Sequence, residues 1–200
     1  NNLGLVYKNL REWREATRFL EQALRIDERA GLYARMGAHN QNLGLIRYYL
    51  GQWDLAEENF RRSLQIARDT GHLQGEAQAL LALGRLARRR RRFGIADEHF
   101  NRALELADRV GAHRETALAR EFLAEVSLDR GHPTDALALL EPALEDARIS
   151  APQGDLVERQ FRDVFEHHDL PQSPRQRFQR RLHVAFPRRS RPPGRGTSGS

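Results

Sequence analysis

Leu43-Gly44, Trp53, Ala56 and Phe60 recur forty residues on as Leu83-Gly84, Phe93, Ala96 and Phe100. They recur again as Leu123-Ala124, Pro133, Ala136 and Leu140, and forty residues earlier as Leu3-Gly4, Trp13, Ala16 and Leu20. Four copies in register without an insertion require a repeat architecture, in which each copy repeats one structural unit. That period constrains the chain more than any other feature. Within it, apolar residues fall at steps of three and four, as in Trp13, Ala16, Phe19, Leu20, Ala23 and Leu24, which is one wide helical stripe. No such helix pair can bury its stripe alone, so each copy needs its neighbour.

The spacing predicts paired helices in order. A first B helix spans about 12–30, and the later pairs span about 32–50 with 53–70, 72–90 with 93–110, and 113–130 with 133–149. Gly31, Gly71 and Gly111 recur at the reversals between pairs, where glycine ends helices well. Gly51-Gln52 and Gly131-His132-Pro133 mark turns within pairs, and Pro133 stands at a first helical position that has no use for an N–H. Gly44, Gly84 and Ala124 are small where two helices of a pair approach. Ala16, Ala56, Ala96 and Ala136 are read as the small residues facing them. Trp13, Trp53 and Phe93 fill the start of each B helix. Leu20, Phe60, Phe100 and Leu140, with Leu24, Leu64, Leu104 and Leu144, are expected to face the next pair.

The first copy holds only the second half of its A helix, so the chain reads as beginning mid-helix within a longer protein. Leu156, Val157, Phe161, Val164 and Phe165 predict a terminal capping helix over 151–170. From Pro171 the composition changes to arginine, proline, glycine and serine, and 171–200 is expected to be a disordered tail. Its character also matches out-of-frame translation of GC-rich DNA. The net charge of +6 is concentrated there: 171–200 holds eight arginines and no acid, so the remaining residues carry about −2. A nucleic-acid partner is therefore not expected, except through the basic tail. Cysteine is absent, which excludes disulfides and thiolate metal sites and suits a reducing, cytoplasmic setting. No apolar run approaches the ~18 residues of a membrane span.

The signature Leu-Gly, then an aromatic residue, then Ala-x-x-x-Phe or Leu resembles the tetratricopeptide repeat family over about residues 1–150. The forty-residue period, the long B helices and Asn-Leu-Gly at Asn2 and Asn42 resemble its kinesin-light-chain-like branch, as found in bacterial regulators. The resemblance implies an all-α, right-handed superhelical solenoid of stacked antiparallel helix hairpins. It also implies a concave surface, lined by A helices, that binds a protein or peptide partner. Helical spacing then nominates Asn9, Gln41, Leu45, Tyr48, Tyr49, Gln78, Arg85, Arg88, Arg89, Glu121, Glu125 and Asp129 for that groove. One reading is an amide and aromatic half followed by a basic band of Arg85, Arg88 and Arg89, which takes an acidic group of an extended peptide. The other is that this band and the acidic band of Glu121, Glu125 and Asp129 neutralise each other across adjacent helices. The lysine and asparagine clamp by which some relatives hold chaperone C-termini is not matched, since Gln41, Leu5 and Leu45 stand at its positions.

The run Arg88–Arg92 likewise has two readings, a contact for phosphate or an acidic partner, or a helix end continued through a turn. No histidine pair with a nearby acid, nucleophile elbow or phosphate-cradling glycine loop is present. The expected function is a non-catalytic protein-interaction scaffold without cofactor or metal. The alternative is the sensor or regulatory segment of a larger bacterial transcription or signalling regulator.

Overall fold

In a computed structural model, residues 10–149 are described, and they form seven α-helices with no strand among them. These are α1 (Leu10–Arg29), α2 (Tyr33–Tyr49), α3 (Trp53–Asp69), α4 (Leu73–Arg89), α5 (Phe93–Arg109), α6 (His113–Asp129) and α7 (Pro133–Ile149). Each boundary lies within two residues of the sequence expectation. Asn9, Leu144, the capping helix and the tail lie outside the described residues or side chains.

The helices are spaced by a turn that repeats every twenty residues. At each one a residue adopts the left-handed conformation: Gly31, Gly51, Gly71, Arg91, Gly111 and Gly131, with φ between 58° and 79°. The next residue turns its N–H back to a carbonyl five residues earlier, as in Gln52 to Arg47 at 2.9 Å and His72 to Ala67 at 2.8 Å. The left-handed residue itself bonds three back, as in Gly51 to Tyr48 at 3.1 Å. This is a Schellman ending, which satisfies carbonyls that a helix end would otherwise leave orphaned. The residue after the left-handed one then starts the next helix. The Gln52 carbonyl accepts the Ala56 N–H at 3.0 Å, and the His72 carbonyl accepts the Glu76 N–H at 2.9 Å. No side chain caps α2 to α6 at the N-terminus, because the backbone of the preceding turn already fixes each start.

Packing is closest within the hairpins α2–α3, α4–α5 and α6–α7. Here one expectation is corrected. The small residue opposite Gly44 and Gly84 is not the B-helix alanine alone; the aromatic ring of the same hairpin fills the glycine's open side. A Cβ on Gly44 would lie 2.5 Å from the Phe60 ring, and one on Gly84 would lie 2.4 Å from Phe100. Both rings are fully buried. Phe100 also reaches the next hairpin, its ring centroid 5.3 Å from that of Phe122. The aromatic therefore closes its own hairpin and joins the next, which spacing alone could not separate.

Between hairpins, the contacts run from each B helix to the following A helix, and successive A helices touch directly. Contacts between successive B helices are weaker. The stack therefore bends toward its A helices, and α2, α4 and α6 line the inner face. On the B side, Arg90 binds Glu57 at 2.7 Å and Asp54 at 2.5 Å, and Arg130 binds Asp97 at 2.6 Å one unit later. Arg90 thus caps α4 and ties its turn to α3, while Arg91 and Arg92 make the turn, so the arginine run acts here as a helix end.

Candidate protein-binding face

Forty-residue register sets the inner face in rows. Gln41, Leu81 and Glu121 share one row; Leu45, Arg85 and Glu125 the next; Tyr48 and Arg88 a third; Tyr49, Arg89 and Asp129 the rim. Side chains cross from helix to helix along it. Gln41 Nε2 donates to the Gln78 carbonyl at 3.2 Å, joining α2 to α4. Gln78 Nε2 donates to Glu115 at 2.7 Å and Gln74 Nε2 to the same carboxylate at 3.4 Å, joining α4 to α6. Glu115 is 2% exposed, and these two amides meet its carboxylate, with Arg114 at 3.7 Å.

Arg85, on α4, reaches both neighbouring A helices. Its guanidinium lies 5.3 Å from the Tyr48 ring centre and 5.4 Å from that of Phe122, and it donates to the Tyr49 hydroxyl at 3.3 Å. The flat cation has an aromatic face on each side, an arrangement arginine suits and lysine does not. Burial alone would lower its pKa, but the Tyr49 hydrogen bond and the field of Tyr48, Tyr49 and Glu125 leave it raised. Tyr48 and Tyr49 meet edge to face at 5.3 Å, and Tyr49 approaches Trp13 at 6.3 Å, which carries the aromatic cluster back to α1.

Arg88 pairs with Glu125 and, through Nε, with Asp129 at 2.6 Å. Burial raises the Glu125 pKa, although Arg88 and Arg85 oppose it. Glu121 is 4% exposed and has no hydrogen-bond or ion-pair partner among the described residues. Burial, and then the charge of Glu125, push its pKa up to about 8 against the pull of Arg85 and Arg88. At neutral pH it is mostly the neutral acid.

The structure thus brings eleven of the twelve nominated residues onto one face, with Asn9 outside the described residues. It gives them unequal freedom. Arg88 is occupied by two carboxylates and Arg85 by three aromatic side chains, Tyr49 among them, while Arg89 is exposed. Gln74, Glu115 and Phe122 were not nominated. Phe122 had a signal in the sequence, since it is a large aromatic one residue before Leu123, at the repeating leucine register beside the arginine row. Glu115 had none, because its counterpart one unit earlier is Gly75.

No cluster of three or more histidine, cysteine or carboxylate side chains suited to a metal occurs among the described residues, and none of their helices is long and apolar enough to cross a membrane. The family model for the tetratricopeptide repeat matches residues 1–69, 34–109 and 75–149. No curated protein matches the chain in sequence. Among solved structures, BtubC (BKLC) from P. vanneervenii superposes with a TM-score of 0.60 at 20% identity, covering 85% of this chain and 65% of its own. The chain therefore spans 65% of the length of that neighbour. The nearly identical TPR-like repeats attributed to a kinesin light chain from Podosopora anserina superpose with a TM-score of 0.57 at 16% identity, covering 86% of each chain. These similarities are of fold.

Proposed function

Because the chain belongs to the tetratricopeptide repeat family, we propose that it is a protein-interaction scaffold whose inner face, built from α2, α4 and α6, holds a peptide or helical segment of a partner protein. Repeats of this family generally mediate protein–protein interactions and are typically non-catalytic, which fits an all-α solenoid of this kind. The observation that carries the reading is the state of the inner face. Its floor is locked from helix to helix by Gln41–Gln78, Gln78–Glu115, Arg88–Glu125 and the Arg85 clamp. A surface held rigid before a ligand arrives loses less freedom on binding. Above that floor Arg89 is exposed, beside the exposed sides of Tyr49 and Asp129, which Arg85 and Arg88 hold in place. Tyrosine offers broad, stiff contact area, and arginine can fork onto a carboxylate.

The two readings of the basic band are therefore distributed by residue. Arg88 serves internal neutralisation, Arg85 serves internal clamping, and Arg89 is the cation that meets a partner. A peptide library panned against the chain tests this. Selected peptides should lose binding to Tyr49→Ala and Arg89→Glu, with far-UV circular dichroism unchanged, and should keep it for Leu55→Asp and Ile95→Asp on the B helices. The opposite dependence would move the binding surface off the inner face.

A further inference from the structure

Between α2 and α4 the stack leaves a recess of about 180 Å³, walled by Ala34, Gly37, Ala38, Ile66 and Gly75 and closed in part by Gln41. The matching space between α4 and α6 takes in the buried Glu115 side chain. There Glu115 stands at the register of Gly75, and Gln74 and Gln78 stand at those of Ala34 and Ala38. Both amides donate to the buried Glu115 carboxylate, at 3.4 and 2.7 Å. The recess exists because glycine and two alanines replace that trio. Gln41, which lines it, also carries an unmet polar atom. Gln41 Nε2 donates to the Gln78 carbonyl, but Gln41 Oε1 is shut from solvent and has no hydrogen-bond partner. A buried acceptor without a donor is costly, and such atoms call for an explanation.

No acidic or basic residue other than His72 lines the recess. An ionised side chain entering it would lack a counter-charge, so the occupant is neutral. It must bring an N–H to Gln41 Oε1, in a space whose twin holds a glutamate side chain. The neutral isostere of that side chain is a primary amide. We propose that the recess is a subsite for one glutamine or asparagine side chain of the bound partner, its amide N–H donating to Gln41 Oε1. A slight turn of the Gln41 amide about its broad terminal torsion brings Oε1 to it and keeps Nε2 within reach of the Gln78 carbonyl. The identity of the carrier rests on the protein-binding reading above; the chemistry of the recess does not.

The test uses a small probe on the isotope-labelled chain. Titration with N-acetyl-glutamine amide should shift the amide resonances of Gly37, Ala38, Gln41 and Gly75. The shifts should vanish in Gly75→Glu, which puts the twin's acid side chain into the recess and displaces His72, and in Ala38→Leu, which fills the recess from α2 should the first variant fail to fold. At neutral pH the N-acetyl-glutamate amide should bind about tenfold more weakly or worse. Absence of shifts at the solubility limit, shifts that survive both variants, or equal affinity for the two probes would each overturn the proposal. Panned peptides that use the inner face but need no amide residue would sink this subsite and leave the scaffold reading standing. Probe binding without any inner-face peptide would do the reverse.

Discussion

Consider Gly84→Ala. A methyl there lies 2.4, 2.6 and 2.8 Å from three atoms of the Phe100 ring, where carbon atoms are comfortable at about 3.5–4.0 Å. The ring must retreat by about 1 Å, and it is fully buried with Phe122 behind it. Overpacking of that kind costs about 1–3 kcal/mol, against which alanine's better helix propensity returns about 1 kcal/mol. The expected net loss is about 1 kcal/mol. Gly94→Ala, in α5 with nothing near its added methyl, should instead gain a few tenths to about 1 kcal/mol. Phe100→Leu alone opens space and should lose about 1–2 kcal/mol. The third hairpin shows the remedy, since it carries Ala124 and Leu140 at these two places and buries both. Gly84→Ala combined with Phe100→Leu should therefore lose less than the sum of the single losses, by about 1–2 kcal/mol. Urea unfolding followed by far-UV circular dichroism reads this, with the slope checked for loss of two-state behaviour. Additivity within about 0.5 kcal/mol would refute the size-matching argument.

Two further outcomes follow from the geometry. Arg91 is the one left-handed turn residue of the described chain that is not glycine, so Arg91→Gly should raise stability by about 1 kcal/mol in the same unfolding assay. A loss would show that its contact with the Phe93 ring, 5.5 Å away, outweighs the strain. Glu121 keeps its proton to about pH 8 in the folded chain but loses it near 4.5 when unfolded. Between those values the folded state holds the extra proton, so the contribution of Glu121 to stability falls as pH rises from about 4.5 to about 8 and is constant above. The Glu121→Gln variant should therefore gain on the parent over that window, in denaturant midpoints taken across pH. Parallel curves would mean that Glu121 is not buried beside Glu125 as described.

The helix pairs could be read from the sequence because the period, the apolar stripe and the turn glycines all speak at once. Even the turn at Arg91, which lacks its glycine, was placed correctly by register. The inner-face rows followed from the same arithmetic. What register could not give was occupancy. Arg85, Arg88 and Arg89 look alike as letters, yet one is sandwiched by rings from two other helices, one is neutralised by α6, and one is exposed. Those fates depend on side chains 36 to 41 residues away. The recess was unreadable for a similar reason. It is a difference between equivalent gaps, visible only when Gly75 and Glu115 are seen in their places.

The glycine–phenylalanine fit has an inheritance of its own. Large opposes none in two units, medium opposes small in a third, and each match is internal to one pair of helices. A crossover made at the reversal between units would carry both members of a match together, and such exchanged cassettes should still close. A cut inside a unit would unite a methyl with a ring, or a void with a leucine, and the offspring would begin life misfitted. Exchange of units within this chain should therefore be tolerated best at every second turn.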